Sequence, residues 1–254
     1  MFDESPVALA CPCPCRARGR ARGRARGRAR ARARARAVPV LLPLAAKRDT
    51  IILTNVRKGS DQMTATRIRE VALKHFAKNG YEGASLADIA AEVGIKKQSI
   101  YTHFKGKDEL FLDLFEKVQA KELNFVADYL ERHKHFSIDQ LLHGFLIQYN
   151  DCYEQDDNAK FFLRTVFFPP SHLYEVIVKQ GYYHLEKLET MLIPVFDQAL
   201  ADGLITPDVS RDRATAAFLA VMDGMFVELL FGGAELSLIR IEASWLVYWR
   251  GIKK

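Results

Sequence analysis

From position 68 to the C-terminus, apolar residues recur every three or four positions, a periodicity that predicts an all-α protein. In "TATRIREVALKHFAKNG" (64–80), Ile68, Val71, Ala72 and Phe76 share one face of a helix, and Gly80 follows as its stop. "SLADIAAEVG" (85–94) repeats the pattern with Leu86, Ile89, Ala90 and Val93. Here Ser85 and Asp88 have capping-box spacing and Gly94 ends the helix. In "IKKQSIYTHF" (95–104), Ile95 anchors the turn while Ile100 and Phe104 point the same way. Two short helices joined by a Gly-containing turn form a helix-turn-helix, whose second helix can enter a DNA major groove. At about 100° per residue, Gln98 and Thr102 fall about 160° and about 200° from Ile100, away from the core. That face is polar and free of carboxylates, with Lys96 and Lys97 beside it, so it can hydrogen-bond base edges.

Beyond this unit the periodicity predicts six further helices and no convincing strand. One runs from about Asp108 to Lys134, carrying Leu110, Leu114, Val118, Leu123, Val126 and Leu130 on one side. Ser137 with Gln140 caps the next, another ends before Pro169 and Pro170, and a fourth runs from Ser171 through Leu200, bent at Pro194. The last two, "SRDRATAAFLAVMDGMFVELLFGG" and "ELSLIRIEASWLVYWRGI", are apolar over more than one face. A partner subunit is a natural cover for such helices, and plain intramolecular core is the alternative.

Charge divides the chain. Residues 1–62 hold 15 Lys/Arg and 4 Asp/Glu, net +11; residues 63–110 are mildly basic at +2; residues 111–254 are acidic at −7. Three readings compete for the Arg-Ala run at 16–37: a basic arm on phosphates, a targeting peptide, or translated upstream simple-sequence DNA with Met63 as the natural start. We favour the last, which peptides from residues 16–58 in protein made from the native locus would refute. Without an apolar face to bury, residues 1–62 are expected to be a disordered low-complexity segment. The expected domains are therefore 1–62, a DNA-binding unit at 63–110 and a helical regulatory and dimerisation unit at 111–254.

Three cysteines alternate with prolines at 11–15 and Cys152 stands alone, which gives neither a disulfide framework nor a metal spacing. "VPVLLPLAA" at 38–46 imitates a secretory signal only weakly, and no run approaches the roughly 18 apolar residues of a membrane span. A cytoplasmic protein without a membrane partner is expected. No GxSxG, HExxH, P-loop or CxxC is present, so the expectation is a non-enzyme with no cofactor or metal.

The stretch "GYEGASLADIAAEVGIKKQSIYTHFKGKDELF" resembles the N-terminal DNA-binding domain of the TetR/AcrR family of transcriptional regulators. The likeness rests on the spacing of Gly80, Ile89, Ala90, Val93, Gly94, Tyr101, Phe104, Lys107 and Leu110 and spans about 64–112. It implies an all-α homodimer that binds a roughly palindromic DNA operator and usually represses, releasing DNA when a small-molecule effector enters the C-terminal domain. By the same resemblance, Lys97, Gln98 and Ser99 would begin the base-facing surface. Tyr101, His103 and Lys107 would meet phosphates, and Thr66 and Ser85 would touch the backbone from the two preceding helices. Lys96 departs from the family's frequent Ser or Thr and cannot accept an amide hydrogen bond.

For the ligand pocket the candidates are the body's aromatics Phe125, Tyr129, Phe145, Tyr149, Phe162, Phe168, Tyr174 and Tyr183, with Phe161 and Tyr182 beside them. For dimerisation they are Phe218, Met222, Met225, Phe226, Leu229, Leu238, Trp245, Tyr248 and Trp249. His143, His172 and His184 are expected as surface or core residues rather than metal ligands. Two other classes compete, a nonspecific nucleic-acid binder acting through the arginine arm and a helical enzyme.

Overall fold

The computed structural model describes residues 49–254, with side chains from Gln62 onward. The expectations for the arginine run and its cysteines lie outside the described residues. The described residues fall into two units, 49–66 and 67–254, and the second holds both the helix-turn-helix head and the helical body. Nine α-helices are described: α1 (Asp49–Gly83), α2 (Leu86–Val93), α3 (Lys97–Ile100), α4 (Lys107–His133), α5 (Ile138–Tyr153), α6 (Asp157–Phe167), α7 (Tyr174–Ala201), α8 (Arg211–Phe231) and α9 (Gly233–Ile252). A short 3₁₀ turn, Ser171–Leu173, precedes α7. Among the described residues the only extended pairing is the isolated bridge between Ile205 and Lys253, which ties the C-terminus to the α7–α8 loop.

The helices form where the apolar period placed them, and their ends follow local chemistry. Ser85 accepts the Ala87 amide at 3.1 Å to open α2, and Gly94 closes it at φ 82°, a left-handed conformation that side chains with a Cβ rarely adopt. Gly80 breaks α1 at φ 69°, ψ −175°, leaving Tyr81–Gly83 as a separate turn. Two expectations are corrected. The first helix begins at Asp49, ahead of its apolar face, and Ser137 stands before α5 without a side-chain cap bond. Side-chain caps in the body form instead on α6, where Asp156 accepts the Asn158 amide at 2.8 Å, and on α8, where Ser210 accepts the Arg213 amide at 3.4 Å.

The core is continuous from head to body. Ile68, Val71, Phe76, Ile89 and Ile100 are almost fully buried. Phe76 meets Phe111 of α4 edge-on at 5.0 Å, and Phe111 meets Phe161 of α6 at 5.2 Å. These edge-to-face contacts run from α1 through α4 into the body. Arg69 reinforces the junction by donating to Asp113 of α4 at 2.6 Å while lying over the Phe104 ring. Burial works against the Asp113 charge, but Arg69 and Lys117 hold its carboxyl below the ordinary value.

α8 is long and apolar enough, by length and composition, to cross a membrane. It instead packs against α7 and α9, and Tyr248 of α9 donates to the Ala214 carbonyl at 2.9 Å. Phe218, Met222, Met225, Leu229, Trp245 and Tyr248, expected to cover a partner, are buried within the protomer. Phe226 and Trp249 are half-buried and Leu238 is exposed. The physical reason is that α8 and α9 turn their heaviest stripes toward each other and toward α5 and α7. A different apolar set stays outside: Val227, Phe231, Leu236, Ile239, Leu246 and Val247.

Candidate nucleic-acid interface

α3 is a single α-helical turn followed by tighter i→i+3 bonds, Tyr101 to Gln98, Thr102 to Ser99 and His103 to Ile100. Ile100 and Phe104 are buried and fix its rotation. Lys96, Lys97, Gln98, Tyr101 and Thr102 are exposed, whereas Ser99 and His103 are half-buried. The Thr102 hydroxyl donates to the Ser99 carbonyl at 2.7 Å, leaving its oxygen free to accept. Tyr101, 49% exposed, belongs to the surface and not the core. Lys96 offers no side-chain bond to the start of α3. Thr66 is exposed and donates back to the Gln62 carbonyl, while Ser85 is engaged in its cap.

Lys107 opens α4, with its ammonium 4.2 Å above the Tyr81 ring, a cation–π arrangement that orients the side chain. The Tyr81 hydroxyl donates to Asp108, and His172 of the 3₁₀ turn places Nε2 3.4 Å from the other Asp108 oxygen. The Tyr81 bond, with His172 and Lys107 adding to it, holds the Asp108 carboxyl below its ordinary value. Burial first, and the same bond second, push the Tyr81 hydroxyl up. Glu109 accepts the Lys105 amide and closes the loop into α4. Tyr81, Asp108 and His172 therefore link the candidate phosphate contact to the body. Tyr81 and Asp108 are in the quoted motif, but nothing in their spacing announces His172.

The aromatic set expected to line a pocket is not one cluster. Phe125, Tyr129, Phe145, Tyr149 and Phe162 do converge, with Tyr129 and Phe145 edge-on at 5.2 Å. Phe168, Tyr174, Tyr182 and Tyr183 are exposed, because the start of α7 turns this side outward. Phe168 lines a different cavity of about 330 Å³, beside Tyr81, Arg164 and Pro169. Missing from that set are two polar residues inside the body. Glu122 is 7% exposed and accepts the Tyr149 hydroxyl at 3.1 Å; His184 is equally buried, its ring 4.6 Å from Phe162. A signal for Glu122 was present, since it falls in the helical register of Leu114, Val118 and Val126, where an apolar residue belongs. His143 pairs with Glu242 at 3.0 Å and His172 with Asp108, and among the described residues no cluster of three His, Cys, Asp or Glu side chains could hold a metal.

A buried helix-turn-helix scaffold with an outward face of lysine, amide and hydroxyl groups defines a DNA-binding module. Residues 68–114 match the model for "Bacterial regulatory proteins, tetR family". The HTH-type transcriptional regulator AcrR of Shigella flexneri is 25% identical over 185 residues, 71% of this chain and 85% of the relative. The negative regulator of the biofilm operon icaADBC, IcaR of Staphylococcus epidermidis, is 28% identical over 50% of this chain and 63% of its own. The fold matches a TetR transcription regulator from Haloarcula marismortui with a TM-score of 0.62, at 17% identity over 76% of this chain and 100% of that one. FadR of Bacillus subtilis, solved with stearoyl-CoA, matches at 0.54, with 18% identity over 70% and 96%. Residues 68–114 therefore carry a TetR-family DNA-binding domain, and the described residues share the all-α fold of TetR-family regulators; the relatives matched are transcriptional regulators and not enzymes.

Proposed function

We propose that this regulator acts as a repressor in the bacterial cytoplasm, binding a roughly palindromic operator as a homodimer and leaving it when a small molecule enters the body. The observation that carries the reading is the divided surface of α3, with Ile100 and Phe104 sealed in the core while Lys97, Gln98 and Thr102 stand exposed. Lys97, Gln98 and Thr102 sample bases, while Tyr101, His103 and Lys107 position the head on phosphates. Support for self-association comes from α8 and α9, whose exposed Phe231, Leu236, Ile239, Leu246 and Val247 are costly to leave in water. A two-fold axis through that face would set two α3 helices about 34–36 Å apart, one turn of DNA. Repression is the role in the names of IcaR and of the Streptomyces coelicolor repressor SCO4008, the latter 43% identical over 56 residues, 22% of this chain and 29% of its own.

Selection of bound sites from random duplex DNA tests the reading, using the full chain and a chain starting at Met63. Both are expected to enrich the same two-fold-symmetric sequence and to sediment as dimers. A shorter chain that is monomeric and binds all sequences alike at physiological salt would overturn it. Loss of all affinity on removing residues 1–62 would favour the arginine arm as the nucleic-acid contact.

A further inference from the structure

The cavity of about 330 Å³ opens where the end of α1 meets α4, the last turn of α6 and the 3₁₀ turn ahead of α7. Its walls are mostly rings, with Phe76, Tyr81 and Phe111 from α1 and α4, and Phe168, Pro169 and Pro170 from the stretch after α6. Phe111 meets Phe76 and Tyr81 edge-on at 5.0 and 5.1 Å, and Phe168 stands 55% exposed. Two opposite charges border this space without meeting. The guanidinium of Arg164 lies over Gly80, where a Cβ would stand 3.6 Å from its Nη1. Glu82 follows two residues later, so its Cα is at most about 7 Å from that of Gly80. Both side chains line the cavity and are exposed, and neither has an ion-pair partner among the described residues. Thr165, buried in the wall, adds a hydroxyl without a hydrogen bond to any other described group.

We infer that this cavity binds an aromatic α-amino acid, with its carboxylate on Arg164, its ammonium on Glu82 and its ring among Phe111, Phe168 and Pro169. An α-amino acid carries both charges on one carbon, so a single molecule closes the ion pair that Arg164 and Glu82 leave open. The guanidinium fork can take both carboxylate oxygens, and the Thr165 hydroxyl can donate to one of them. An aromatic acid without the ammonium would bring a second negative charge to Glu82, and an aromatic amine would do the same to Arg164 with the sign reversed. Rings that already meet edge-on accept a further ring in the same way, which an aliphatic side chain does not match. The volume suits one such molecule. Tyr81 lines the cavity and carries the Lys107 ammonium on its ring, so an occupant also borders the candidate phosphate contact. Any effect on DNA rests on the proposed operator reading, whereas amino-acid binding does not.

The test titrates the full chain in a calorimeter with L-phenylalanine, 3-phenylpropionate, phenethylamine and L-leucine. Phenylalanine is expected to bind at least about tenfold more tightly than each of the others. Arg164→Gln should weaken phenylalanine at least about tenfold and change phenethylamine little, and Glu82→Gln should weaken phenylalanine equally while sparing 3-phenylpropionate. Both positions are exposed, so the variants should keep the parent's helix content; Phe168→Ala, at another exposed position, should weaken all three aromatic ligands. No heat from phenylalanine up to about 10 mM, equal or tighter binding of any of the other three, or unchanged affinity in either charge variant would overturn the proposal. Anisotropy of labelled operator DNA is read in parallel. Binding that needs both charges upholds the site whether DNA stays or leaves, and the same binding by a chain that holds no operator upholds the site while sinking the operator reading.

Discussion

Gln98 and Lys107 share one surface but are held by different means. Gln98 projects from the first turn of α3, and Lys107 rests on the Tyr81 ring at the start of α4. Gln98→Ala is expected to flatten preference at one base-pair step by about 1–3 kcal/mol, measured against single-site operator variants. Lys107→Ala should weaken every sequence alike and lower the salt slope by about one phosphate, measured by titration between 50 and about 200 mM salt. Inside the body the two buried titratable groups pull stability in opposite directions. Glu122 is ionised above 4.5 when unfolded but only above about 8 when folded, so its contribution is lost as pH rises through that window. His184 takes a proton below 6.5 when unfolded and below about 4 when folded, so its contribution is lost as pH falls. Glu122→Gln should therefore melt several degrees above the parent at pH 8 and converge with it near pH 4, by calorimetric scans.

The head's helices were legible because each obeys local rules: Ile89, Ala90 and Ile100 are buried at the expected period, and Gly94 is left-handed where the chain must turn. Lys96 is the local rule broken. Lys96→Ser supplies the missing acceptor at the start of α3 and should raise stability by about 0.5–1 kcal/mol, read as a shift in urea midpoint with unchanged slope. The C-terminal helices were less legible. Periodicity marks a helix as apolar all round but does not say which side its own chain will cover. Met222 and Leu229 thus went to the interior, while Val227 and Phe231 stayed out. The same blindness placed Tyr174 and Tyr183 inside the body, when each is about half exposed. Glu122 escaped notice because a helix rich in charge hides one charge in the wrong register.

Across the whole molecule, residues 63–110 carry +2 and residues 111–254 carry −7, so the body repels a polyanion that the head accepts. On the proposed reading, that charge division favours contact at α3 and the first turn of α4. If α8 and α9 join two copies, Ile239→Asp with Val247→Asp should convert dimer to monomer by analytical ultracentrifugation. Helix content should be unchanged, since both side chains are exposed, and operator affinity should fall steeply because each monomer reads half a site.

If Lys107 meets a phosphate and Gln98 a base as proposed, the Tyr81–Asp108–His172 chain gives strength and choice of binding separate controls. His172 rides on the turn ahead of α7, whereas α3 is clamped by Ile100 and Phe104 and does not share that path. A rearrangement of the body that pulls His172 away would unseat the ring beneath Lys107 and leave the letters read by Gln98 untouched. A volume knob and a tuning dial would then occupy neighbouring helices, and evolution could turn either one alone.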